Sequence, residues 1–380
     1  MTRDLMCLLC PNGCHLTCDL KPEGAFQVQG NRCDKGLLFV KSVLHEHSLK
    51  TLKVVSAQAR PRYSEDVLKE ILGFWGISFK KSCPSLIPDG SPERTLFRLV
   101  IEDEKGERFV LEQIPPTAFH VKMKIVKTLD FLSTKGLSKI VPYRAGPGDQ
   151  YIQTYKEGLW QAVPFSPGVT LERSTYLYEG WRAGVLADFL IDLHAQSKDI
   201  PFFSYDETFS IKAYVYTLMA QIHKRESKIA PLAQSVVAFL EQDFMNIYDT
   251  LPLGFCHGDY HPLNIIWTKD HIQAVIDWEF LGIKPEIYDV ANMVGCLGME
   301  HPSSLTADLV VNFIQQLKTA DIFSSVSWKY LLEFIVAMRF AWLSEWLRKD
   351  DREMIALELE YMDLLISNRE ALLAAWKISV

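Results

Sequence analysis

The chain has no run of about 18 consecutive apolar residues, so nothing in it is expected to span a membrane as a helix. Its opening residues also lack the charged-then-apolar pattern of a secretory signal, which makes the cytoplasm the expected location. Excess positive charge is missing as well. Lys and Arg number 40 against 47 Asp and Glu, a formal net charge of −7, whereas nucleic-acid binders carry a basic stripe that displaces counterions. A nucleic acid is therefore not expected as a partner, and an acidic body suits a cationic or neutral substrate. At 48% hydrophobic and 23% charged residues, the composition is that of a globular protein and excludes a disordered class. A length of 380 residues allows two or three folding units with sizeable cores.

Cysteine is not scarce, but it is unevenly spread. Five of the eight fall in the first 33 residues: Cys7, Cys10, Cys14, Cys18 and Cys33. The C-x2-C-x3-C spacing with Cys33 after the Gly30 turn suits four thiolates converging on one ion, and Pro11 and Gly13 supply turn chemistry. Disulfides or idle thiols are the alternatives, and a disulfide framework fits poorly with a reducing compartment. The expected ligands are Cys7, Cys10, Cys14 and Cys33, holding Zn²⁺ or a [4Fe–4S] cluster; Cys18 and His15 are additional donors nearby. This segment is similar to a small cysteine-rich domain of unknown function found beside flavin oxidoreductases, and it also resembles the iron–sulfur segment that opens molybdopterin oxidoreductases. The polar stretch at 58–62 then breaks the pattern, and Ser64-Glu65-Asp66 reads as a helix start. The expected division is 1–58 for the cysteine-rich domain, 62–166 for a small sheet lobe and 167–380 for a helical lobe.

The chemistry concentrates in Cys256-His257-Gly258-Asp259-Tyr260-His261-Pro262-Leu263-Asn264, followed by Ile276-Asp277-Trp278-Glu279. An Asp after a His-Gly turn can take a proton from a hydroxyl, and an amide oxygen with a carboxylate are ligands that Mg²⁺ prefers. Residues 264–267 and 272–276 are β-rich runs around a polar turn, so a hairpin would bring Asn264 and Asp277 to one open end. Base plus two metal oxygens points to phosphoryl transfer.

His257-Gly258-Asp259 with Asn264, Ile276-Asp277-Trp278-Glu279 and Tyr288-Asp289-Val290-Ala291 together resemble the aminoglycoside phosphotransferase/choline kinase family, small-molecule kinases with the protein-kinase fold. The resemblance implies an α+β, bilobal, protein-kinase-like fold: a small antiparallel-sheet lobe and a mostly helical one. It implies Asp259 as catalytic base, Asn264 and Asp277 as Mg²⁺ ligands, and His257 and Asp289 as scaffolding for the loop. ATP or GTP is the implied phosphoryl donor.

In the small lobe, strands over 96–101 and 108–114 flank a Lys105-Gly106 turn, and Gly90 before them is placed to let backbone approach phosphates. The family offers a strand lysine to the nucleotide where this chain has Glu112. A helix expected over 115–139 is rich in lysine, so Lys122, Lys124 or Lys127 is expected to neutralise Glu112 and supply the positive charge. Lys122 falls within the apolar arc of that helix, while the family register favours Lys124 or Lys127. The resemblance further implies that backbone around Val163, Pro164 and Phe165, between the lobes, meets an adenine edge. Late in the chain, Arg339, Trp342, Glu345 and Trp346 recur at three- and four-residue steps and read either as an acceptor-binding stripe or as core.

Two functions follow. One is a Mg²⁺- and nucleotide-dependent kinase acting on a hydroxyl of a small sugar-like or amino-alcohol compound; the Leu111-to-Pro115 stretch followed by Phe119 faintly resembles hexosamine kinases. The other is a catalytically silent kinase-like module docked to a redox protein through its cysteine-rich head.

Overall fold

The computed structural model describes residues 2–6, 15–20, 26–29 and 63–379, apart from 89–93, 173–174, 202, 204–208 and 226–227. Strands β1 (Thr2–Met6), β2 (His15–Leu20) and β3 (Phe26–Gln29) form an antiparallel sheet in that order. Cys7, Cys10, Cys14 and Cys33 lie outside the described residues, as does Gly90. Among the described residues, no group of three or more His, Cys, Asp or Glu is placed to hold a metal ion.

The small lobe starts with α1 (Glu65–Gly73), capped by the Ser64 hydroxyl on the Val67 N–H. Five antiparallel strands follow in the spatial order β4 (Phe79–Ser82), β5 (Phe97–Asp103), β6 (Arg108–Ile114), β8 (Gly158–Pro164), β7 (Gln153–Tyr155). Side chains alternate across the pleat. Phe97, Ile101, Phe109, Leu111 and Ala162 thus pack with Leu68, Ile71 and Leu72 of α1 into one small core. Arg98, Glu112 and Gln161, of opposite parity, stand on the other face of the sheet. Between β6 and β7 runs α2 (Phe119–Thr134), four turns whose stripe of Ile125, Leu129 and Leu132 belongs to the core of the larger lobe, so this helix ties the two together. It ends at Thr134 rather than Lys139, because Gly136 and Lys139 take positive φ angles that no α-helix accommodates.

The larger lobe is helical: α3 (Trp181–Gln196), α4 (Ile211–Arg225), α5 (Ala230–Glu241), α6 (Phe244–Ile247), α7 (Tyr288–Glu300), α8 (Asp308–Ala320), α9 (Ser325–Lys329), α10 (Leu331–Lys349), α11 (Arg352–Ser367) and α12 (Arg369–Ala375). Its central helix α10 is buried on all sides from Leu331 to Phe340, with its two charged residues there, Glu333 and Arg339, paired to Arg369 and Glu358. Two small antiparallel ribbons interrupt the helices: β9 (Leu253–Cys256) with β12 (Gly282–Pro285), and β10 (Ile265–Trp267) with β11 (Ile272–Val275). They carry the motif residues. The segment after β8 is stapled to this hairpin, since the Val169 N–H donates to the Trp267 carbonyl (2.8 Å) and a Cβ on Gly168 would meet Ile266 at 2.4 Å. On the far side, the Arg182 guanidinium lies between the rings of Trp181 and Trp267, seating the start of α3 against β10. No described helix is long and apolar enough to cross a membrane.

Candidate active site

Strand β9 ends at Cys256, and the chain turns sharply through His257-Gly258 before Asp259. Gly258 has φ +84°, and a Cβ there would sit 2.0 Å from the Phe280 carbonyl oxygen, so only glycine fits. The turn is fixed from below by Asp289 near the start of α7, whose two carboxylate oxygens accept from the backbone N–H groups of His257 (2.7 Å) and Gly258 (2.8 Å). Burial raises the Asp289 carboxyl to about 6, against the pull of those two N–H groups.

His257 is fully buried, which lowers its pKa to about 4 and keeps the imidazole neutral at physiological pH. Its two nitrogens divide the work. Nε2 lies 3.0 Å from the Ile276 carbonyl, a pure acceptor, so Nε2 carries the hydrogen; Nδ1 then accepts from the Asp259 N–H at 3.1 Å. One side chain thereby links the backbone of Asp259 to that of the residue preceding Asp277. The Trp278 ring packs against the imidazole, 4.4 Å away centroid to centroid and tilted by 54°.

Asp259 is gripped on both oxygens. Oδ2 accepts from Asn264 Nδ2 at 3.0 Å with His261 Nε2 3.6 Å away, and Oδ1 faces Asn292 Nδ2 at 3.4 Å. Burial pushes this carboxyl up, but the His261 ring, followed by His257 and the Asn264 amide, outweighs it and leaves the pKa below the usual aspartate value. It is an ionised carboxylate, able to accept a proton. Asn264 Nδ2 also donates to the Asp259 carbonyl at 2.9 Å, so the amide is pinned with its oxygen turned away from the base. Across the hairpin, the Ile276 N–H donates to the Asn264 carbonyl (2.9 Å), which sets Asn264 beside Asp277 at the open end. Asp277 has φ +61°, a left-handed conformation that aspartate tolerates better than most residues and that Asp321 and Asp350 also adopt at helix ends. Burial, with Asp259 and Glu279 near it, raises its pKa despite Arg94, whose guanidinium lies 3.3 Å from Oδ1. The donor set of one amide oxygen and one carboxylate, brought to neighbouring positions across the open end of the hairpin, fits a hard divalent ion that takes its other ligands from phosphate and water.

One expectation is overturned and two are narrowed. Glu112 does not pair with a helix lysine: its Oε1 is held by Arg98 directly across the ladder (Nη2 2.6 Å, Nε 2.7 Å) and its Oε2 by Gln161 (2.7 Å). A cross-strand neighbour in register is nearer than anything α2 can reach. Lys122 does turn inward, but toward Glu279, with which it forms a buried ion pair; Lys124 lies exposed over the Phe203 ring and Lys127 faces outward. Second, the Phe165 N–H already donates to the Arg108 carbonyl (2.8 Å) and Pro164 has none, so from these two residues an adenine edge would meet carbonyl oxygens rather than N–H donors; Val163 stays in register with Val110 on the β6 ladder. Third, Arg339 is buried and doubly bonded to the buried Glu358, whose Oε1 also takes the Trp346 indole N–H (3.1 Å). Glu345 is engaged by Arg348 and Lys349. Of that stripe, Trp342 alone approaches the catalytic loop, edge to face with the His261 ring at 6.4 Å and stacked on Trp346.

Sequence reading missed His261, Asn292 and Arg98. His261 two residues after the base and Asn292 one helical turn after Asp289 were available signals. Arg98 required the strand register.

Residues 88–324 match the model of a family described as APH, the phosphotransferase enzyme family. Solved structures of similar fold include an aminoglycoside phosphotransferase from Alicyclobacillus acidocaldarius subsp. acidocaldarius DSM 446. It is 15% identical, with 84% of this chain and 97% of that one covered, at a TM-score of 0.57. Amicoumacin kinase hAmiN, in complex with AMP-PNP, Ca²⁺ and Ami, is 12% identical over 82% of this chain and 96% of its own, with a TM-score of 0.56. The macrolide 2'-phosphotransferase MphH from Brachybacterium faecium is 15% identical over 78% and 97%, with a TM-score of 0.52. No curated protein matches the chain.

Proposed function

We propose, from the premise that this chain belongs to the phosphotransferase enzyme family, that it moves the γ-phosphoryl group of ATP or GTP to a hydroxyl of a small sugar-like or amino-alcohol compound. The observation that supports this most is the single end of the β10–β11 hairpin shared by Asp259, Asn264 and Asp277, with the base ionised and bonded to the amide.

Asp259 accepts the proton of the acceptor hydroxyl as its oxygen attacks the γ-phosphorus in line. His257 keeps the carboxylate aimed through the Asp259 backbone, and Asn264 and Asp277 are the residues that would hold Mg²⁺. Bound there, that ion offsets the charge that builds on the phosphate oxygens. His261 and the Asn264 amide hold the base in its ionised form until the hydroxyl arrives. Trp342 offers one aromatic wall beside the base, suited to the apolar face of a sugar ring or to an amine. A structural neighbour solved with AMP-PNP and Ca²⁺ supports a nucleotide with a divalent ion, and neighbours described as aminoglycoside and macrolide phosphotransferases support an antibiotic-like hydroxyl acceptor. The same reading divides the chain at 62–166 and 167–380, with 1–58 as an appended metal-binding head.

The test is a thermal-shift titration with ATP and GTP, with and without Mg²⁺, followed by transfer of label from the γ-position to a panel of sugars, amino sugars, amino alcohols and antibiotics. Mg²⁺-dependent stabilisation and label transfer are expected. Absence of both would overturn the reading.

A further inference from the structure

A nucleoside triphosphate carries as many as four negative charges, and its phosphates must lie close to Asn264 and Asp277 if a divalent ion is to join them. Each phosphate oxygen gains most from a charge-assisted donor. Three cations among the described residues pair with carboxylates around this space: Arg94 with Asp277, Lys122 with Glu279 and Arg98 with Glu112. They are not equivalent. The Lys122 side chain is only 6% exposed, and its compact ammonium is committed to Glu279, tying α2 to the loop that carries Asp277. Arg94 lies against the carboxylate that a metal ion would take.

We infer that Arg98 is the phosphate-gripping cation of this site and that Glu112 is its positioning residue, the pair doing across two neighbouring strands what a strand cation and a helix carboxylate do elsewhere in kinase-type sites. The inference rests on the proposed nucleotide reading and adds to it. Arg98 and Glu112 are directly opposed in the β5–β6 register. Nε and Nη2 both close on the single oxygen Oε1, and Gln161 fixes Oε2, so the carboxylate cannot swing and the guanidinium plane is set. Nη1 reaches toward the Pro88 carbonyl and Nη2 toward the Thr95 hydroxyl, each at 3.4 Å. The Arg98 side chain is one-fifth exposed, whereas that of its anchor Glu112 is 7% exposed. This row of side chains stands on the face of the sheet opposite the α1 core. Arg94, three residues before β5, reaches Asp277 Oδ1 at 3.3 Å, so the entry to this strand lies beside the hairpin end that carries Asp277; consistent with that, the pKa of the half-buried Tyr143 is raised by burial and further by Glu112, Glu279 and Asp277, with Arg98 opposing them. A carboxylate where a nucleotide must bind is therefore an anchor rather than a defect. An arginine fork, planar and always charged, grips phosphate from such an anchor with more directional control than an ammonium.

The experiment measures binding of Mg·ATP, Mg·ADP and adenosine by calorimetry to the unaltered full chain, to Arg98→Met, and to the double variant Arg98→Met/Glu112→Leu. The double variant removes the pair without stranding a buried carboxylate, so folding is preserved even where the single variant fails. Loss of Mg·ATP and Mg·ADP affinity by roughly 10- to 100-fold with adenosine unchanged is expected, the scale of a lost charge-assisted contact. Mg·ATP affinity within threefold of the unaltered chain would overturn the inference and leave the parent reading standing. A parallel loss of adenosine affinity would also overturn it, by showing that the pair only shapes the lobe. No nucleotide binding by the unaltered chain would overturn the parent reading, and this inference with it.

Discussion

Replacing Arg339 by Met separates a core residue from a substrate residue. Arg339 is 3% exposed, its Nε donates to Glu358 Oε2 at 2.9 Å, its Nη2 donates to Oε1, and Glu358 itself is 0% exposed. Removing the guanidinium leaves a carboxylate wholly buried between α10 and α11 with only the Trp346 indole as donor. Stranding one partner of a buried pair costs about 3–5 kcal/mol. At about 2 °C per kcal/mol for a chain of this size, melting should fall by roughly 6–10 °C. Arg339→Met/Glu358→Leu, which removes both charges and fills the space with apolar atoms, should recover most of that loss. Scanning calorimetry on the two single variants and the double variant reads the cycle. If Arg339→Met melted within about 2 °C of the unaltered chain yet abolished acceptor binding, the burial argument would be wrong and the arginine would belong to the acceptor site.

Two further outcomes are expected. Gly258→Ala combines a positive φ with a Cβ 2.0 Å from a backbone oxygen, so it should cost about 2–4 kcal/mol and abolish phosphoryl transfer; unfolding curves together with a transfer assay check it, and an active, equally stable variant would refute it. Acid sensitivity should reveal two opposed titrations. His257, lowered to about 4, contributes stability present above pH 6.5 and lost as pH falls toward 4, about 3 kcal/mol in all. Asp289, raised to about 6, binds protons more tightly when folded, so acidification from pH 6 to 4 returns about 3 kcal/mol. Asp289→Asn removes that compensation, and its stability should fall with acid more steeply than that of the unaltered chain; parallel curves in denaturant titrations at pH 6 and pH 4 would contradict the assignment.

The parts of the molecule legible in the sequence were those written in local spacing. The hairpin that joins Asn264 to Asp277 follows from two β-rich runs around one polar turn, and the α1 start follows from Ser64-Glu65-Asp66. Long-range pairing was harder to read. Glu112 was matched to a helix lysine because its actual partner lies 14 residues earlier, fixed by a strand register that no helical wheel displays. The pairing of Lys122 with Glu279, 157 residues apart, is a property of the closed fold alone. The same limit governed Arg339, whose periodicity matches a ligand-facing stripe and a buried one equally until α11 is in place to supply Glu358.

The central claim is that the Asp259 carboxylate takes the proton of the acceptor hydroxyl. Its most direct measurement is the single-turnover rate of γ-phosphoryl transfer by Asp259→Asn, with Mg·ATP affinity measured alongside, on the best acceptor from the panel. The amide keeps the shape but cannot accept the proton, so the rate should fall by roughly 10²–10⁴-fold while nucleotide affinity stays within about threefold. A transfer rate within about threefold of the unaltered chain would contradict the account.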